Sequence, residues 1–299
     1  MNESPRPLSL GEILDRTAQL YRQNFLLFVK VAAVPSLVIA VTNEAMVAIF
    51  RSAGKGAVHG GVSGLLLSAN YLLVMPVLLV ALTFSHAVLT RTASRTYIGG
   101  FETIPDSMRE TWRGLGRLVW LHTQQIFFAV IIPAIGAVVL VIVAGTISSV
   151  YGAGHSGKAM VGGVTILLVA GSLAVIMWFS ARYSLAIAAC VLEGKTARRS
   201  MKRAISLSKE RRGGICLVFL FYVALLSAFI GLQFSFGKIL IALGMTVAHP
   251  IGAQLVAHQL VRVFLSLVRQ ILLPPVVAIA LTLIFSTSEY ARKAMTLSG

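Results

Sequence analysis

Residues 113–150 read RGLGRLVWLHTQQIFFAVIIPAIGAVVLVIVAGTISSV, and this stretch decides the fold. Arginine stops at Arg117, and no charged side chain follows over residues 118–150. The hydrocarbon core of a bilayer takes about 20 helical residues. The stretch is therefore a membrane span, long enough to tilt or to reach into the headgroups. Five more such runs lie outward from it, at residues 25–50, 62–89, 160–190, 215–247 and 271–288. The composition agrees. Of 299 residues 57% are apolar and 12% charged, with a mean hydropathy of +0.85, whereas a soluble domain carries about 25% charged residues. The expected fold is an all-α polytopic membrane protein with six transmembrane helices in three hairpins, forming one integral membrane domain over residues 1–299.

The net charge of +16 does not point to nucleic acid, because no segment could form a water-soluble domain with a basic face. The charge sits in short connectors. Arg6, Arg16 and Arg22 precede the first span, and Arg91, Arg95, Arg109, Arg113 and Arg117 follow the second. Lys195, Arg198, Arg199, Lys202, Arg203, Lys209, Arg211 and Arg212 follow the fourth, and Arg292 and Lys293 the sixth. The opposite connectors hold Arg51, Lys55 and Lys158, with Arg262 and Arg269 if these lie outside the last span. Lys and Arg collect on the cytoplasmic side, so both termini are expected there, in the plasma membrane of a bacterium. No cleavable leader or lipid-anchor motif is expected from residues 1–24 or the C-terminus.

The basic connectors have helical periodicity. Leu10, Ile13, Leu14, Thr17, Leu20 and Tyr21 form one apolar stripe; Ile104, Met108, Trp112 and Leu115 form a second; Ala197, Met201, Ala204, Ile205 and Ser208 a weaker third. Each predicts a short amphipathic helix in the cytoplasmic headgroup layer ahead of a hairpin. Arg16, Arg109 and Arg203 lie 93 and 94 residues apart, which suggests three units of one design at 8–90, 103–192 and 196–290. Pro35, Pro76 and Pro133 predict kinks, and the pair Pro274–Pro275 a break.

The opening Leu8-Ser9-Leu10-Gly11-Glu12-Ile13-Leu14-Asp15-Arg16 with Leu20-Tyr21-Arg22-Gln23-Asn24-Phe25 resembles the bacterial glycerophosphoryl diester phosphodiesterase membrane domain family, a six-span module with relatives of unknown function. Val191-Leu192-Glu193-Gly194-Lys195, Arg199-Ser200-Met201-Lys202-Arg203, and Leu283-Ile284-Phe285 with Glu289-Tyr290-Ala291-Arg292 carry the same resemblance. It covers nearly the whole chain, yet its motifs are juxtamembrane. In some relatives the module precedes a soluble phosphodiesterase barrel, which is not expected here, so the resemblance implies a membrane module and no enzyme activity.

Intramembrane charge usually marks function. Lys30, Arg182 and Lys238 lie close enough to span ends to snorkel. Glu44 is the one carboxylate inside an expected span, too near the outer boundary for a proton-coupling group. Gln254, His258, Arg262 and Arg269 share roughly one helical face. They are either the basic wall of a lipid- or anion-binding cavity or an amphipathic segment in the outer headgroup layer. The cluster Lys195, Arg198, Arg199, Lys202 and Arg203 can bind anionic lipid at about 1 kcal/mol per residue. Gly61-Val62-Ser63-Gly64 and Ala248-His249-Pro250-Ile251-Gly252 mimic the serine and histidine motifs of rhomboid proteases, but in the wrong spans. His59, His86, His122 and His155 have no ligand spacing, and Cys190 and Cys216 imply neither metal nor disulfide. No metal, cofactor or catalytic residue is expected. The expected role is a non-enzymatic module organising membrane lipid or a membrane or soluble protein partner. A transporter or lipid/anion-binding protein is the alternative, and a rhomboid-like protease a remote one.

Overall fold

The computed structural model describes residues 9–56, 62–100, 103–150, 155–242 and 252–297. Every element in them is helical: α1 Leu10–Gln23, α2 Phe25–Gly56, α3 Val62–Tyr97, α4 Ile104–Arg113, α5 Leu115–Ile126, a π-helical turn Phe127–Ile131, α6 Ile132–Val150, α7 His155–Tyr183, α8 Ala186–Leu192, α9 Ala197–Ala242 and α10 Gly252–Leu297. Six stretches are long and apolar enough to cross a membrane: Phe25–Val47, Val74–Tyr97, Leu115–Val143, Ala170–Leu192, Arg211–Phe236 and Leu260–Ser288.

The short helices form for local reasons. Ser9 caps α1 in a capping box, its hydroxyl accepting from the Glu12 N–H while the Glu12 carboxylate accepts from the Ser9 N–H at 2.7 Å. Thr103 caps α4, with its side chain on Asp106 and Pro105 in the first turn. Two of the four orphan donors of α1 are thereby satisfied. The third amphipathic stretch is the start of α9, which continues into its span through non-helical dihedrals at Arg211 (φ −121°, ψ 17°).

Proline behaves differently from expectation at one place. The pair Pro274–Pro275 lies inside a continuous α10, with no break. Pro274 has no N–H for the carbonyl four residues back, and that carbonyl, Gln270 O, accepts the Ser36 hydroxyl of α2 at 2.9 Å. A neighbouring helix thus supplies the missing donor. At Pro133 the ladder widens instead, into the π-helical turn just before it.

The continuity of α10 also lengthens the last span, which takes in residues 260–270 ahead of Ile271. The core gathers at the end that carries α1 and α4, around Phe28, Leu89, Leu121, Leu185, Ile215, Ile279 and Phe285. In the buried run 186–190 of α8, Ala186, Ala188, Ala189 and Cys190 have small side chains that let backbones approach. Carbonyls released at the α7–α8 break find side chains: Gln125 Nε2 donates to Tyr183 O at 2.7 Å and Ser208 Oγ to Arg182 O at 3.3 Å. Arg117 donates to Gly194 O at 2.8 Å beyond α8. By contrast α6 exposes Ile135, Val138, Val139, Leu140 and Ile142, the surface an acyl-chain solvent accepts without penalty.

Candidate functional site

The three amphipathic helices turn their small and apolar faces to the bundle. Ile13 and Thr17 of α1, Ser107 and Thr111 of α4, and Ser200, Ala204, Leu207 and Ser208 of α9 are buried. The threonine hydroxyls are spent locally; Thr17 donates to Ile13 O and Thr111 to Ser107 O, both at 2.7 Å. The opposite faces carry exposed Arg16, Arg22, Arg109, Arg113, Arg198, Arg199 and Lys202. All three helices lie at one end of the molecule. A cavity of about 440 Å³ is lined by Arg91 and Arg95 of α3, Glu110 of α4, Glu193 ahead of α9 and Ser286 of α10. A second cavity joins Leu20 to the same end of α3, at Thr96 and Gly99.

The nominated cluster divides in two. Lys195 and Arg203 converge on Glu193, Arg203 Nε lying 3.3 Å from Glu193 Oε1. They fasten the turn between α8 and α9, and left-handed Gly194 (φ +65°) makes that turn possible. Arg198, Arg199 and Lys202 stay exposed and form a cationic face. Trp178 of α7 meets two further cations on this side. The Arg182 and Arg212 guanidiniums lie over its ring at 5.3 and 6.0 Å, a favourable cation–π arrangement. Exposed Trp112 meets Phe84 edge-on at 5.8 Å.

The second nominated group meets polar partners on neighbouring helices. Arg262 and Arg269 are half-buried inside the span Leu260–Ser288. Arg262 pairs with Glu44 of α2 at 2.6 Å. Arg269 reaches Gln233 Oε1 of α9 at 3.5 Å, a neutral acceptor. Depth follows from Ser36, which touches the residue after Arg269 and lies eleven residues beyond Phe25; that is about 16 Å along the helix, near the bilayer middle. Among the described residues Arg262 Nε and Gln270 Oε1 have no hydrogen-bond partner. Gln254 and His258 are in α10, but their side chains lie outside the described residues.

Sequence reasoning singled out Glu44 without its partner and missed Ser36 and Gln125. Glu44 belongs with Arg262, 218 positions away; Ser36 and Gln125 serve distant carbonyls. None of the three gives a periodic or motif signal. His86 and His122 meet with ring centroids 6.0 Å apart, yet no group of three metal-ligating side chains occurs among the described residues. Cys190 and Cys216 are free thiols. Lys30 is exposed. The serine–histidine pattern lies outside the described residues at His249, and the side chain of Ser63, in α3, is likewise not described. No protein-family model, curated protein or solved structure matches the chain.

Proposed function

We propose that this chain is a non-enzymatic membrane module that holds anionic lipid against the end bearing α1, α4 and the start of α9, with that end in the cytoplasm of a bacterial cell. One observation carries the reading. Three separate amphipathic helices bury small faces at one end of the bundle and leave Arg and Lys outward. The cavities described at this end open among the same helices. The resemblance to the phosphodiesterase-associated membrane domain supports the same role, a membrane module without chemistry of its own.

The test is the lipid that accompanies the purified protein. Phosphatidylglycerol extracted with wild type should exceed its share in the parent membrane. In R198Q/R199Q/K202Q the excess should shrink by most of its value, since each basic residue contributes about 1 kcal/mol at such a surface. An unchanged excess refutes the reading. A second reading rests on Arg269, a cation near the bilayer middle held by a neutral amide. Such residues mark anion or substrate paths, and anion flux into vesicles that R269Q abolishes would support it.

A further inference from the structure

The chain holds a second kind of lipid contact, which rests on the reading above but is set in a different place. Between α1, α9 and α10 runs a slot of about 430 Å³, walled by Leu14 and Ala18, Phe221 and Leu225, and Val277 and Ala280. Its volume is that of small-molecule pockets, about 300–1,000 Å³. The slot exists because α1 leans on α10, where the Tyr21 hydroxyl donates to Leu272 O at 3.2 Å. Ala18 and Ala280 are too small to fill the space that remains. The hydroxyls that α1 brings to the slot are already engaged, Thr17 on its own helix and Tyr21 on α10. Burial pushes the Tyr21 phenol above its usual range, so it stays a neutral donor.

Position tells what fills the slot. Phe221, Leu225, Val277 and Ala280 all belong to membrane spans, so the surrounding solvent is acyl chain. One charged side chain lines it: Arg22, exposed on the last turn of α1, just before the first span. No carboxylate among the described residues pairs with it. Asp15, the acid nearest it on α1, is about two turns away. An apolar slot between spans with an exposed guanidinium on its wall matches an acyl chain joined to an anion.

We infer that this slot is a specific site for one acyl chain of an anionic glycerophospholipid, with the headgroup phosphate on the Arg22 guanidinium. The cationic face of α9 gathers a loose annulus; the slot holds a single molecule. The experiment is native mass spectrometry of the intact protein in mild detergent, titrated with deuterated dipalmitoyl phosphatidylglycerol, phosphatidylethanolamine or palmitate. Wild type should keep one phosphatidylglycerol at collision energies that strip the rest. A18W, a change on an exposed slot wall, should lower its retention about tenfold or more, as if two methylenes were left outside. R22Q should still hold a lipid, but with its preference for phosphatidylglycerol over phosphatidylethanolamine cut about fivefold. R198Q/R199Q/K202Q should lose loosely held lipid and keep the single one. A matched thermal melt with wild type confirms that A18W and R22Q fold.

Equal retention in A18W and wild type overturns the slot, and leaves the wider reading standing if the triple variant still loses its excess. An unchanged preference in R22Q overturns the phosphate contact. Displacement by palmitate as efficient as by phosphatidylglycerol overturns the assignment to a phospholipid. Loss of anionic-lipid excess in no variant, with the single lipid still displaced by A18W, overturns the wider reading and spares the slot.

Discussion

Ser36 is a single hydroxyl on which an unbroken α10 depends. It supplies the donor that Pro274 lacks, to a carbonyl near the bilayer middle where water cannot substitute. S36A should lower stability by about 1–3 kcal/mol, read as a drop in melting temperature in detergent; S36T should recover part of it, and an unchanged melt would mean the carbonyl is served otherwise. The Glu44–Arg262 pair at 2.6 Å makes a different prediction. Removing one partner strands the other charge, whereas removing both need not destabilise. E44A should therefore melt below wild type, and E44L/R262M should recover most of the loss; a double variant no better than E44A would contradict the pairing. These residues were not legible in the sequence because their partners are 234 and 218 positions away. The partners of Arg262 and Arg269 were hidden for the same reason: a local window counts their charge and cannot see Glu44 and Gln233.

At the scale of elements, the three amphipathic stretches share a register. The cap positions Ser9, Thr103 and Thr196 are spaced by 94 and 93 residues. The same spacing relates buried Ile13, Ser107 and Ser200, and buried Thr17, Thr111 and Ala204. Arg16 and Arg203 fit it; Arg109 falls one residue short, and Glu110 takes its place. Asn24, where α1 ends, is in register with the kink at Arg211, while α4 ends at Gly114, one helical turn earlier. The chain reverses from second span to next amphipathic helix through left-handed Gly99 (φ +78°) and Gly194 (φ +65°). A Cβ at Gly194 meets open space, so only the backbone opposes it. G194A should cost about 1 kcal/mol, measured by thermal melting; no loss would mean that the turn relaxes. The spans themselves were legible from hydropathy, since nothing but a bilayer accepts thirty apolar residues. The kink at Arg211 was not, because a helical sequence runs through it without proline, and the break written into Pro274–Pro275 is cancelled by another helix.

For the whole molecule, the asymmetry between its two ends is the main fact. One end gathers the core, the cavities and the outward cations, while α6 presents apolar side chains along its length. Charge counting alone foresaw which connectors are basic. It did not separate Lys195 and Arg203, which serve Glu193, from Arg198, Arg199 and Lys202, which face outward. Only the folded turn makes that division. The account stands on the basic end being cytosolic and the opposite connectors being outside. The direct measurement is labelling of K202C and K158C, each in a background without Cys190 and Cys216, by a membrane-impermeant maleimide. In intact spheroplasts K158C should react and K202C should not, and inside-out vesicles should give the reverse. Both positions reacting from the same side would contradict it.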